Sequence, residues 1–381
     1  MKALYMSQYE LEDQQNHAYL KEKYDKKTIV FYSGPSFEKW NYNSCETKGI
    51  GGSETWAIKL SEEFAKLGYR VLNFADCSIE GKFNGVNWIH YSKLHDYIEY
   101  NYFDCFISSR TTEPFKLKIR SDKKLVICHD IWLNKNKIVP YQEKVDKFLC
   151  LSDWHRQFVC NHHGFPLDKV LIVSNGIDIT RYKQEVERQP YRLIWSSSLD
   201  RGLDTLLYLF DFVKVNIPEL ELHIFYGIDN WEKTVVYKPT EKQKIENIKR
   251  AMNKPGVFYH GRVGQDRLAE EQLKSSLWCY PTTFTETWCI TAIEMMAAGV
   301  PIICSNLAAL TTTVGDCGIL IGNGNINQAL TRDCRIQFAH KIIEILKNKE
   351  IWKYWSVKGK ERAKQFTWKN AANDFIKKIG L

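Results

Sequence analysis

Residues 280–301 read YPTTFTETWCITAIEMMAAGVP, and this stretch decides how the rest of the chain is understood. Two carboxylates, Glu286 and Glu294, stand with seven residues between them in a run that otherwise carries no charge. Strand-like apolar residues precede it (276–280) and follow it (300–304). The pattern predicts a helix over 287–298 between two parallel strands. In such sheets ligands bind beyond the carboxyl ends of the strands, where helix N-termini present unpaired N–H groups. Glu286 is therefore expected at that rim, at the helix start, and Glu294 about two turns further in. A helix this apolar should be buried, and a buried carboxylate without a partner is costly. A polar group is expected to meet Glu294.

Outward from this stretch, short apolar runs alternate with helical periodicity. A first series predicts strands at 28–32, 70–74, 105–108, 125–128, 148–151 and 170–173, with a helix over 53–67 in which Trp56, Leu60, Phe64 and Leu67 recur at helical spacing. After the polar run 181–190, a second series predicts strands at 193–195, 221–225, 257–259, 277–280, 301–304 and 319–321. Helices over 203–215 and 265–274 lie between them, and helices over 337–347, 352–364 and 368–379 close the chain. Such alternation implies an α/β fold with parallel, doubly wound sheets, and two series imply two facing Rossmann-like domains. The expected division is a helical extension (1–26), an N-terminal domain (27–180), a C-terminal domain (181–362) and a final helix (363–381) packing back on the N-terminal domain.

The 381 residues exceed one ordinary core, and a hydrophobic content of 44% excludes disorder. The net charge of +8 is spread along the chain, with short basic clusters at 21–27 and 116–124. No arginine-rich groove interleaved with aromatics accompanies it, which speaks against nucleic acid. It leaves peripheral contact with a membrane surface open. Eleven cysteines are scattered without a Cys-x-x-Cys pair. An odd number of single thiols fits a reducing compartment. Without a signal-peptide pattern or a membrane-length apolar run, the expected location is cytoplasmic, soluble or peripherally membrane-associated. Oligomeric state is not legible.

Several short motifs carry chemistry. Gly49-Ile50-Gly51-Gly52-Ser53-Glu54 opens a helix, and its glycines let backbone approach a ligand. His129-Asp130 ends a strand, on the ligand-binding rim. Ser174-Asn175-Gly176-Ile177-Asp178 reads as a turn. Arg201-Gly202 precedes a helix, where a cation suits a diphosphate. Cys160-Asn161-His162-His163 lacks a second ligand pair and reads as a helix end rather than a metal site. No nucleophile elbow or zinc-protease helix is present.

Taken in order, these motifs resemble the retaining glycosyltransferases of the GT-B fold, family 4 type (glycosyl transferases group 1). The hallmark is Glu286, seven residues, Glu294, then Ala297-Ala298-Gly299-Val300-Pro301; His260-Gly261 and Phe366-Thr367-Trp368 continue the likeness. The resemblance implies a hexosyltransferase. It would move a sugar from a UDP- or GDP-linked donor to a glycan, lipid-linked or small-molecule acceptor, with no metal or other cofactor. It further implies that Glu294 bonds the ribose hydroxyls, and that Glu286 with Thr287, Trp288 and Cys289 addresses the sugar and phosphates. Arg201 would neutralise the diphosphate, Gly51 and Gly52 would close over the phosphates or the acceptor, and His129 would contact the transferred sugar. His260, Gly261, Arg262 and Val263 would line the base pocket. His129 and Glu286 are the candidate catalytic residues. Two departures stand out. An upstream arginine of the donor loop is missing before Arg201, and Thr287 and Cys289 occupy positions where glycine is usual. A nucleotide-sugar epimerase of the same fold, or a non-catalytic glycan- or nucleotide-binding module, remains as an alternative.

Overall fold

A computed structural model describes residues 25–234 and 238–381. The helical extension expected over 1–26 lies outside the described residues up to residue 24. The first domain holds eight strands: β1 (Thr28–Gly34), β2 (Arg70–Ala75), β3 (Gly81–Phe83), β4 (Val86–His90), β5 (Phe103–Ser109), β6 (Ser121–Ile127), β7 (Lys147–Cys150) and β8 (Val170–Ile172). They lie in the order β3-β4-β2-β1-β5-β6-β7-β8. All neighbours are parallel except the β3–β4 pair. Ile29, Val30 and Phe31 are all buried. Central strands covered on both faces read as continuous apolar runs, which is why they were legible in sequence.

The β3–β4 hairpin is an addition to the expected strands. Its turn is Asn84-Gly85, both residues at positive φ (50° and 82°). Asn-Gly between two extended runs is the standard signature of a two-residue hairpin, so the signal was present at 81–90.

The second domain holds β9 (Arg192–Trp195), β10 (Glu221–Ile224), β11 (Val257–Tyr259), β12 (Leu277–Tyr280), β13 (Ile302–Ser305) and β14 (Ile319–Ile321), in the order β11-β10-β9-β12-β13-β14. Every neighbour is parallel. The winding reverses between β9 and β12. In the first sheet it reverses beside β1, between β2 and β5. These reversals open crevices at the strands' carboxyl ends, and both clefts described below lie there.

Four helices matter for the site: α1 (Gly52–Lys66), α2 (Gln265–Lys274), α3 (Ile290–Ala297) and α4 (Trp368–Ile379). Helix α3 corrects the predicted span of 287–298. It begins only at Ile290, because Cys289 adopts a left-handed φ of 75°, which breaks the helical path. Glu286 therefore sits in the loop after β12 and not at a helix N-terminus.

The last helix crosses back as expected. The Phe375 ring lies 5.3 Å from Phe64 and 6.5 Å from Trp56, both on α1. The crossover is pinned where Ile177 N–H donates to Phe366 C=O at 2.8 Å, beside a parallel bridge from Ile177 to Thr367. Gly176 permits this approach, since a Cβ there would fall 2.4 Å from Trp368 N. One apolar cluster consequently runs from the β1–α1 face through α4 into the second domain. Each of the eleven cysteines is a free thiol, and all but Cys160 are buried, as small hydrophobes.

Candidate active site

A cleft of about 380 Å³ lies between the two sheets. Its wall includes the loop 49–53, His129, Arg201, Glu286, the residues 287–291 and Glu294. Tertiary folding thus brings together motifs that the chain separates by more than two hundred positions.

Arg201 comes from the turn after β9. Gly202 follows it at φ 115°, where a Cβ would fall 2.3 Å from Pro281 C=O. Only glycine lets the β9 turn pass under the β12 loop, and that approach sets Arg201 against Glu286. Arg201 Nη1 donates to Glu286 Oε1 at 3.1 Å, and the guanidinium lies 3.8 Å over the Phe284 ring. Tyr280 Oη donates to the same Oε1 at 2.7 Å. Burial and then Glu286 hold the Tyr280 phenol well above its ordinary pKa, so it remains a donor. Burial opposes the Arg201 charge, but Glu286, Tyr280 and Asp200 outweigh it, and its pKa stands above the usual arginine value. Both donors converge on Oε1. Among the described residues Oε2 carries no side-chain or backbone bond, so it is the oxygen left for a ligand.

Glu294, on α3 and half-buried in the cleft wall, meets the polar partner it was expected to need. Gln272 Nε2 donates to Glu294 Oε2 at 3.4 Å. Tyr182 Oη donates to Gln272 Oε1 at 2.7 Å, which turns the amide's N–H₂ toward the carboxylate. Burial raises the Glu294 pKa, while Gln272 and Arg181 pull it partly back.

His129 is 8% exposed and packs edge-on against Trp56, with centroids 5.4 Å apart. Burial first, then Arg110 and His155, hold its pKa well below the ordinary value, so the imidazole is neutral. Its carbonyl accepts from Thr287 Oγ1 at 3.1 Å, while Thr287 C=O accepts from Ser152 Oγ at 2.8 Å. Thr287, where glycine was the family expectation, joins the two domains at the cleft floor. Arg262 pairs with Glu38 at 2.9 Å and Arg181 with Glu46 at 3.3 Å across the same junction.

Of the proposed base-pocket segment, Arg262 and Val263 line the cleft, while His260 and Gly261 do not. The His260 ring stacks on Phe225, itself a lining residue, at 4.4 Å and on His223 at 5.2 Å, so it stands behind the cleft wall. Gly51, Gly52, Trp288 and Cys289 do line it. A Cβ at Gly52 would stand 3.5 Å from Ile290 Cδ1, so the glycine loop all but touches the start of α3. Cys160, His162 and His163 belong to the end of the helix Asp153–His163, as their spacing indicated.

Sequence reasoning missed Tyr280, Gln272, Ser196, Phe225, Phe284 and Arg110. Asn175 was noted only as part of a turn. Asn175 Oδ1 and Ser196 Oγ are buried in the cleft wall with no partner among the described residues. Unsatisfied buried polar atoms are rare in folded proteins, and two in one cleft mark a place that a polar ligand completes.

With this geometry in place, the class of the protein follows. Residues 178–362 match the family model of glycosyl transferases group 1, and the two facing parallel α/β domains form a GT-B fold. The C-terminal half of the chain is a glycosyl transferases group 1 domain, and the protein is a glycosyltransferase. Over 310 residues, 74% of each chain, it is 24% identical to O-antigen chain mannosyltransferase B of Escherichia coli. Its fold is similar to that of Anabaena HepE in complex with UDP-glucose (TM-score 0.70, 13% identity, 93% of this chain and 99% of that one). It is also similar to sucrose-phosphate synthase from Thermosynechococcus elongatus (TM-score 0.68, 13% identity, covering 93% and 98%). Among the described residues no helix is long and apolar enough to cross a membrane.

Proposed function

We propose that the protein transfers a hexose from a uridine- or guanosine-diphosphate sugar to a glycan, lipid-linked or small-molecule acceptor, with retention at the anomeric carbon and without a metal. The observation that carries this reading is the disposition of Arg201, Glu286 and Glu294 along one cleft whose wall holds the unpartnered Asn175 Oδ1 and Ser196 Oγ. Glu294, half-buried in the cleft wall, suits the ribose diol, because a carboxylate accepts two hydroxyl hydrogen bonds. Arg201 is preorganised by Glu286 and Phe284 and presents charge where a leaving diphosphate gathers it. This is the charge that a divalent cation supplies in other transferases. Glu286 Oε2 is free to orient a hydroxyl of the transferred sugar.

In this reading His129, neutral and at the edge of both domains, donates or accepts a hydrogen bond at the sugar and does not carry a positive charge. The acceptor hydroxyl attacks from the face that the leaving phosphate departs, and a phosphate oxygen takes its proton. No enzyme nucleophile is then required, and Glu286, with Oε1 held by Tyr280 and Arg201, serves as a binding group. The likeness to a UDP-glucose-bound fold and to a mannosyltransferase supports a nucleotide-linked hexose donor.

The test is donor turnover and nucleotide binding by the purified protein, with and without EDTA, alongside Arg201→Ala and Glu294→Ala. Loss of Arg201 is expected to lower kcat by roughly 10²–10³, the usual cost of removing one preorganised group from a developing anion. Loss of Glu294 is expected to weaken nucleotide binding, and EDTA to leave the rate unchanged. An unaltered rate in both variants, or an isomerised donor in place of a transfer product, would overturn the proposal.

A further inference from the structure

The loop after β9 brings one cation to the cleft, Arg201, because the residues before it, Ser196-Ser197-Ser198-Leu199-Asp200, carry none. A leaving nucleoside diphosphate gathers more negative charge than one guanidinium neutralises, and Glu286 already takes Nη1 of Arg201. Two further arginines, Arg110 and Arg262, line the cleft, and their surroundings differ.

Arg262 Nη1 bonds Glu38 Oε1 at 2.9 Å in a partly buried bridge between the domains. Freeing it would open that junction. Arg110 instead bonds Asp130 Oδ2 through Nε alone, at 2.5 Å, and the Asp130 side chain is 55% exposed. Among the described residues no other ion pair or hydrogen bond reaches its side chain, so Nη1 and Nη2 are uncommitted. Glu54 and Glu113 line a smaller cleft of 230 Å³ next to it, and neither pairs with it. An exposed ion pair is worth only ~0–1 kcal/mol, so Asp130 turns into water at little cost. The two free nitrogens form the planar fork that meets two oxygens of one phosphate.

The backbone singles out the same residue. Six described residues other than glycine have positive φ, and two of them, Cys289 and Arg110, line this cleft. Arg110 stands just past the carboxyl end of β5 at φ 63°, with its N–H donating to Ile127 C=O at 3.0 Å. A long side chain adopts this conformation only where its surroundings hold it, and such outliers gather at binding sites. Burial first and then the Arg110 charge keep the His129 imidazole neutral, which places the guanidinium near the end of the cleft assigned to the transferred sugar. Of the two phosphates, the one bearing the sugar is therefore the nearer.

We propose that Arg110 exchanges Asp130 for the sugar-bearing phosphate when the donor binds, so that one arginine from each domain neutralises the leaving diphosphate. This rests on the larger cleft being the donor site. Asp130 holds the guanidinium until the ligand arrives and competes with it for the same cation. Arg110 thereby supplies, from the opposite domain, the second charge that the β9 loop lacks.

The experiment is isothermal titration of the full chain with UDP, UMP, GDP and GMP, on wild type, Arg110→Ala, Arg110→Lys and Asp130→Asn. For the base that binds, the quantity read is the ratio of diphosphate to monophosphate affinity. A general loosening of the fold leaves that ratio unmoved, because both ligands share the nucleoside. The ratio is expected to fall about tenfold in Arg110→Ala, the scale of one hydrogen bond to a charged group, and to recover in part in Arg110→Lys. In Asp130→Asn it is expected to rise severalfold, since the arginine then has no carboxylate to leave. An unchanged ratio in Arg110→Ala, or no rise in Asp130→Asn, would overturn the exchange. Nucleotide binding with an unmoved ratio would strike the role of Arg110 alone. No binding of any nucleotide by the wild type would strike the proposed function, and this inference with it.

Discussion

Glu286 and Glu294 share a side-chain type and a stretch of chain, yet their surroundings assign them different work. Tyr280 and Arg201 saturate one oxygen of Glu286 and leave the other to the cleft. Glu294 receives a single, longer bond from Gln272, and burial raises its pKa above the usual carboxylate value. A carboxyl raised in the folded state holds its proton more tightly there than in the unfolded chain. Its charge therefore costs stability at neutral pH, a cost that fades as pH falls through the folded pKa toward 4.5. Glu294→Gln is expected to raise Tm at pH 7.5 by a few degrees while weakening nucleotide binding by about tenfold. A calorimetric scan showing a lower Tm would remove the idea of a strained, ligand-awaiting carboxylate. The two glutamates were legible in sequence because they interrupt an uncharged run. Their partners were not, because Gln272 and Arg201 come from other elements and only packing selects them.

At the scale of elements, most strands and helices follow from apolar periodicity, and the deviations have local causes. Helix α3 starts late because Cys289 turns left-handed, and the hairpin of β3 and β4 hides behind the short, exposed β3, its one clear signal being Asn84-Gly85. The junction of β9 with α2 rests on a charged pair. Arg192 Nη2 bonds Glu271 Oε2 with both side chains at most 4% exposed, and Arg267 and Lys274 add to the same carboxylate. Burial acts against the Glu271 charge, but these cations outweigh it and hold its pKa below the usual value. Glu271→Ala leaves Arg192 buried and unpaired, and is expected to cost about 3–5 kcal/mol by urea unfolding. A loss under ~1 kcal/mol would show that Arg192 finds water or His223 instead.

Across the whole molecule, the two domains meet through few polar bonds, and His155 lies beneath one of them. Its Nδ1 accepts from Leu151 N–H at 3.2 Å, and its Nε2 lies 3.2 Å from Asp130 C=O. These contacts require the neutral tautomer protonated at Nε2, since a charged ring would turn an N–H against Leu151 N–H. Burial accordingly pushes the His155 pKa down to about 4 from 6.5, and His129 shifts in the same direction. Below pH 6.5 the unfolded chain takes up a proton that the native state refuses. Stability is therefore unaffected above 6.5 and declines as pH falls from 6.5 to about 4, by on the order of 3 kcal/mol for His155 alone. Melting curves from pH 8 to 4 are expected to be flat and then to fall, with a shallower fall in His155→Gln. An unchanged slope in that variant would place the acid sensitivity elsewhere.

By itself the sequence determined two parallel α/β domains, the order of their strands along the chain, the helical C-terminus and the glutamate pair. All of these follow from burial periodicity and backbone preference, which act over a few neighbouring residues. The tertiary structure alone decided that Thr287 binds the opposite domain and that Oε1 of Glu286 is occupied while Oε2 is open. It also set His260 behind Phe225, outside the cleft lining. Those outcomes depend on distances between segments far apart in the chain, set by how the sheets wind and where glycine lets two backbones touch, and local pattern carries no information about them.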